Sequence, residues 1–207
     1  MPKKQNRNSI KSVKDNMNDE VLIEKVKKGD KYSFNLLVWK WEKQIYNLAV
    51  RMLGSVEDAA DACQDIFIAA YEKAHSFKGN SKFSTWLYRI AINNCISKLR
   101  RKKIEQKIYD NSLLQASLAT KDSAIRDDET TLIKNQLSER IMKAIQKLPD
   151  EQKAILELKI YQDLSFEEIS KIIGIPVGTA KSRLHYALIK IRNELKDLNP
   201  NNPNNMR

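Results

Sequence analysis

Leu164-Ser165-Phe166-Glu167-Glu168-Ile169-Ser170-Lys171-Ile172-Ile173-Gly174-Ile175-Pro176-Val177-Gly178-Thr179-Ala180-Lys181-Ser182-Arg183 carries the strongest local signals in the chain. Ser165 followed three residues later by Glu168 is a capping box: the hydroxyl accepts from the Glu168 amide while the carboxylate reaches back. The short helix it opens should end at Ile173-Gly174. Gly174-Ile175-Pro176 then makes a turn, and a new helix is expected from about Val177 to Leu195. Two short helices joined by a glycine turn predict a helix-turn-helix. In the second of them Val177, Ala180, Leu184, Ala187, Leu188, Ile191 and Leu195 share one side, the expected core stripe. Thr179, Ser182, Arg183, His185 and Tyr186 face away with Gly178, and Lys181 lies at the margin. They occupy the first turns, where a recognition helix enters the major groove. A plain antiparallel bundle with a polar outer face is the competing reading.

Working outward, Ile141, Ala144, Ile145 and Leu148 form an amphipathic face stopped by Pro149, and Ala154, Ile155 and Leu158 belong to the next helix. An earlier block starts with a short helix carrying Val21, Leu22 and Val26 and ended by Gly29. A second helix repeats Phe34, Leu37, Val38, Trp41, Ile45, Leu48, Ala49 and Met52 near period 3.6 and stops at Gly54. Ser55 can cap a third helix with the stripe Ala59, Ala60, Cys63, Phe67, Ala70, Tyr71 and Ala74. After the loop Phe77-Lys78-Gly79-Asn80-Ser81-Lys82-Phe83, a long helix is expected from about Ser84 to Lys103. One side of it holds Leu87, Ala91, Cys95 and Leu99; the other holds Trp86, Arg89, Asn93, Ser97 and Arg100.

That second stripe combines chemistry suited to nucleic acid. Arginines hold phosphates, an indole stacks on an unpaired base, and an asparagine reads a base edge. The bland alternative buries part of Trp86 against the preceding loop and leaves the arginines solvated.

The fold class is therefore all-α, with two small helical domains, 18–103 and 136–197, joined by a flexible linker at 104–135. Residues 1–17 are a polar, basic tail and 198–207 an Asn- and Pro-rich one. Five glycines and five prolines are too few turn-breakers for a strand-and-turn architecture. Lys plus Arg number 37 against 26 Asp plus Glu, a net charge of +11 that suits a polyanionic partner. Cys63 and Cys95 lack metal-ligand spacing and fall on apolar faces, so buried free thiols in a reducing cytosol are expected. No metal or cofactor is expected, and no apolar run reaches the roughly 20 residues of a membrane span.

Taken in order, the two blocks resemble the sigma-70 family of bacterial RNA polymerase sigma factors, and within it the extracytoplasmic-function (ECF) subfamily. The resemblance lies in Asp58-Ala59-Ala60-Asp61-Ala62-Cys63-Gln64-Asp65-Ile66-Phe67, in Phe83-Ser84-Thr85-Trp86-Leu87-Tyr88-Arg89-Ile90-Ala91-Ile92-Asn93, in Leu148-Pro149 and in the segment quoted first. It implies a sigma region 2 domain, a region 4 domain and a role in transcription initiation, not an enzyme. Asp61, Gln64 and Asp65 match positions that dock on the β′ clamp helices of core polymerase. Phe77, Lys78, Asn80, Phe83, Trp86, Arg89, Asn93 and Arg100 match the part of the family that holds the −10 element, with one base flipped into the loop. Thr179, Lys181, Ser182, Arg183, His185 and Tyr186 fall in the −35 reader. The implied partners are core polymerase (β′ clamp and β flap), promoter DNA and an anti-sigma protein, frequently membrane-bound. Ala62-Cys63 and Asp65 depart mildly from the common pattern. Two other readings remain: a free-standing helix-turn-helix regulator, and a nuclease gathering Asp58, Asp61 and Asp65 around a metal.

Overall fold

The computed structural model describes residues 18–112 and 129–196, and among them all regular structure is helical. The expected tails at 1–17 and 198–207, and residues 113–128 of the expected linker, lie outside the described residues. Eight α-helices are described: α1 Asp19–Lys27, α2 Lys31–Leu53, α3 Val56–Glu72, α4 Phe83–Ser112, α5 Glu129–Gln146, α6 Asp150–Leu156, α7 Phe166–Ile173 and α8 Val177–Glu194. A 3-10 turn at Ala74–Ser76 follows α3, and a π-helical turn at Glu157–Tyr161 follows α6. The described residues of Met1–Val50 and Val56–Asn94 form one compact unit; those of Arg51–Ser55 and Cys95–Arg207 form a second.

In the first unit, Asn18 caps α1 by accepting from the Glu20 amide at 2.9 Å, and Gly29, at φ +91°, lets the chain turn out of it. Asp30 then caps α2. Its Oδ1 accepts from the Tyr32 amide at 2.9 Å, and its Oδ2 accepts from the Ser33 hydroxyl at 2.7 Å. The Ser33 hydrogen bonds hold the Asp30 carboxyl below its ordinary value. The core is made by Ile23, Leu37, Ile45, Leu48, Ile66, Leu87 and Ile92, all closed to solvent. Three expected core positions are corrected. Val21 is 52% exposed and Ile23 takes its place. On α3 the buried line is Ala59, Ala62, Cys63, Ile66, Phe67 and Ala70, so Ala60 and Tyr71 point outward. A residue one step from a buried position lies 100° round the helix, and that step moves both to the surface.

In the second unit, the capping box forms as expected. The Ser165 Oγ accepts from the Glu168 amide at 3.2 Å, and Glu168 Oε2 accepts from the Ser165 amide at 2.9 Å. Gly174 ends α7 in the left-handed conformation at φ +76°. Ala180, Leu184 and Ala187 of α8 are buried against its neighbours, whereas Leu188 is 45% exposed. The buried line runs 180, 184, 187 and then half-buried Ile191, which leaves Leu188 a step to one side.

Among the described residues of this unit, two charged ones are buried, Lys153 and Glu157. Glu157 accepts a two-pronged ion pair from Arg51 at 2.6 and 2.7 Å, and a bond from Gln162 at 2.8 Å. Lys153 donates to Gln146 Oε1 at 3.0 Å and to the Met52 carbonyl at 3.4 Å. Burial pulls its pKa below the usual lysine value.

The long helix also exceeds expectation: α4 continues nine residues past Lys103 to Ser112. Ile104 and Ile108 are exposed there, so burial of these two side chains does not hold the extension. Lys, Glu and Gln propagate an already nucleated helix at little cost.

Candidate nucleic-acid interface

The loop between the 3-10 turn and α4 is fixed by aromatic rings at both ends. Phe77 and Phe83 are 3% and 2% exposed, and their ring centroids lie 6.2 Å apart. Trp86 packs on both, 5.6 Å from Phe77 and 5.7 Å from Phe83. Trp41 backs the cluster, 6.2 Å from Phe83 and 5.9 Å from Tyr88. What the loop shows to solvent is polar: Lys78, Gly79, Asn80 and Lys82 are exposed. Gly79 adopts φ +72°, which a side chain would strain. Along α4, Arg89 and Asn93 are exposed on the same unit. Arg100 is exposed on the part of the helix that belongs to the second unit.

The start of α8 presents a second polar surface. Lys181, Ser182, His185 and Tyr186 are exposed, and Thr179 and Arg183 are half-buried. The His185 and Tyr186 rings meet at 5.7 Å. Ser182 donates its hydroxyl back to the Thr179 carbonyl at 3.0 Å. Lys181 lies over the Phe166 ring at 5.7 Å. Arg183 pairs with Glu151 of α6 at 2.8 Å.

A third surface lies on α3, where Asp61, Gln64 and Asp65 are all exposed. Beside them a groove of about 900 Å³ runs between α2 and α3, lined by Phe34, Val38, Tyr46, Cys63, Gln64 and Tyr71 among others. Burial, with help from the charge of Glu42, pushes the Cys63 thiol up to about 11. Cys63 and Cys95 are both buried, and neither is in a disulfide.

Two stretches of the chain match known families: residues 37–104 match sigma-70 region 2, and residues 138–191 match sigma-70 region 4. The ECF RNA polymerase sigma factor SigW of Bacillus subtilis (strain 168) is 40% identical over 179 residues, covering 85% of this chain and 96% of that protein. The chain belongs to the ECF sigma factors. A second relative, the ECF RNA polymerase sigma-E factor of Escherichia coli (strain K12), is 33% identical over 189 residues, 90% of this chain and 98% of the relative. The fold is also that of the Bartonella quintana sigma factor RpoE solved with the anti-sigma factor NepR. That structure superposes with a TM-score of 0.60 at 23% identity, covering 79% of this chain and 96% of that one.

On this sigma factor the loop and α4 residues expected at the −10 element divide in two. Lys78, Asn80, Arg89 and Asn93 are presented to solvent, whereas Phe77 and Phe83 are internal. The bland alternative for Trp86 is partly realised, since its ring does pack on the loop anchors while remaining half-exposed.

Sequence reading missed the contribution of α1. Glu20 Oε1 accepts from the Phe83 amide at 3.0 Å. Asp19 Oδ2 accepts from Trp41 Nε1 at 3.2 Å, and its other oxygen lies 2.8 Å from the Lys40 ammonium. Lys27 stands 5.4 Å over the Phe77 ring. These contacts join residues 21 to 63 positions apart, so no local spacing announces them. The one available hint is that Lys82, just before α4, has a side chain that only donates and cannot cap the helix.

Proposed function

We propose that this sigma factor binds core RNA polymerase through Asp61, Gln64 and Asp65, reads the −35 duplex with α8 and holds the melted −10 strand on the loop before α4. The observation that carries the reading is the loop itself, whose two ends are locked in aromatic packing while its tip is polar, cationic and exposed. A preorganised rim of this kind accepts an unpaired base without first ordering itself. Stacking on half-exposed Trp86, worth about 1–3 kcal/mol per base, offsets an unstacking cost of a few kcal/mol. Phe77 and Phe83 act as the loop's anchors, and Asn80 and Asn93 supply donors and acceptors to base edges.

On α8, Lys181 and Arg183 take phosphates or guanine edges, with Thr179, Ser182, His185 and Tyr186 completing the contact surface. Arg100 serves the duplex backbone upstream of the melted bases. The protein contributes binding energy and strand separation but no bond-making chemistry, so it is an initiation factor and not an enzyme. It works in the cytoplasm, where polymerase and promoters are. No described helix is long and apolar enough to cross a membrane. The B. quintana relative was solved with an anti-sigma factor, and an inhibitor of that kind is proposed for this chain as well.

A free-standing helix-turn-helix regulator would use α7 and α8 but leaves the region 2 unit without a task. Gel filtration with core polymerase separates the two. Co-elution at one-to-one stoichiometry is expected here, whereas duplex binding without co-elution would favour the regulator.

A further inference from the structure

We propose that Glu20, on α1, is a positioning residue for single-strand capture. Its carboxylate caps the N-terminus of α4 from a different helix and so sets the conformation of the loop at 77–83. The inference rests on the −10 reading above and adds a residue to it.

The first turn of any α-helix leaves backbone N–H groups without helical partners. At α4 the residue ahead of the helix is Lys82, whose ammonium cannot accept. Glu20 Oε1 fills that gap, accepting from the Phe83 amide at 3.0 Å across 63 residues of sequence. A carboxylate is well suited to the place, because the N-terminal end of a helix carries partial positive charge. Phe83 is both the first residue of α4 and the last residue of the loop. Fixing its amide therefore fixes where the loop ends.

The other contacts of α1 act on the same loop. Asp19 holds the Trp41 indole N–H at 3.2 Å, and the Trp41 ring packs on Phe83 and Tyr88. Lys27 covers the Phe77 ring at the opposite end. One nine-residue helix thus grips both anchors of the loop whose tip, Lys78 to Lys82, is open to solvent. Glu20 itself is exposed and adds little to the core, so its removal should alter the loop and not the fold.

The test uses the full-length protein and its Glu20→Ala and Glu20→Gln variants. The probe is the non-template −10 strand of a promoter chosen by transcription from a fragment library, with a scrambled strand of the same composition as control. Leaving the loop to be ordered on binding should weaken binding of the −10 strand about three- to tenfold in Glu20→Ala. Amide exchange at Phe83 and in the loop should quicken, while core affinity and the thermal midpoint of the protein stay near those of the parent. Glu20→Gln keeps an acceptor oxygen and should recover most of the affinity. Equal strand affinity in parent and Glu20→Ala would overturn the proposal. So would a Glu20→Ala loss matched by an equal loss of core binding or of overall stability, or a Glu20→Gln variant as weak as Glu20→Ala. If the parent itself drives no selective transcription, the −10 reading falls, and this inference with it.

Discussion

The pair between Arg183 and Glu151 offers a two-sided test of the −35 surface. Arg183 sits on α8, its side chain 30% exposed, and its guanidinium lies 2.8 Å from a carboxylate that is 51% exposed. A pair this open to water is worth only about 0.2–1 kcal/mol. To reach a phosphate or a guanine, Arg183 must leave Glu151 or share its donors. Glu151→Gln should therefore tighten duplex binding by up to about fivefold, since it removes the competing partner and a charge that repels DNA. Arg183→Ala should do the reverse. It should cost about 1–3 kcal/mol if the side chain reads a base edge, or flatten the salt dependence by about one unit if it holds a phosphate. The assay is fluorescence anisotropy on a −35 duplex across a salt series, with the double variant closing the cycle. In the Arg183→Ala background the gain from Glu151→Gln should shrink to the part due to simple repulsion. Unchanged or weaker binding by Glu151→Gln, with Arg183→Ala binding like the parent, would refute the assignment of this face to DNA.

Three further outcomes are expected. Combined Gln64→Ala and Asp65→Ala should lower core polymerase affinity at least about tenfold while shifting stability by no more than about 0.5 kcal/mol, as surface changes do; calorimetric titration with core and thermal unfolding check both halves. Lys153, with its folded pKa depressed by burial, binds fewer protons folded than unfolded, so it should make stability rise with pH between that depressed value and 10.5. Denaturant titrations at pH 8, 9 and 10 should show a smaller rise in Lys153→Met, and an identical slope would refute the assignment. Cys63, raised from 9.0 to about 11, should resist iodoacetamide at pH 8 in the native protein and react in urea; equal rates in the two states would contradict its burial.

Legibility in the sequence tracks how local each feature is. The Ser165–Glu168 box and the Gly174 turn were readable because both partners lie within a few residues and have one natural geometry. The apolar stripes were readable on average but misplaced by a step or two at Val21, Ala60 and Leu188, because periodicity fixes a face and neighbouring helices fix its centre. The end of α4 was missed since the polar stretch after Lys103 shows no amphipathic period, although its residues carry a helix forward well. In the loop, Phe77 and Phe83 look like stacking residues by type; only their burial reveals them as anchors. The Glu20–Phe83 and Arg51–Glu157 bonds span 63 and 106 residues, and nothing local in one sequence reports such partners.

The central claim is that this protein confers promoter selectivity on core RNA polymerase. Run-off transcription by core enzyme with and without the protein, on a library of promoter fragments, tests it most directly. The account predicts transcripts that need the protein, start at defined positions and share two upstream elements. Absence of any protein-dependent transcript, with core enzyme active and no inhibitory partner present, would contradict it.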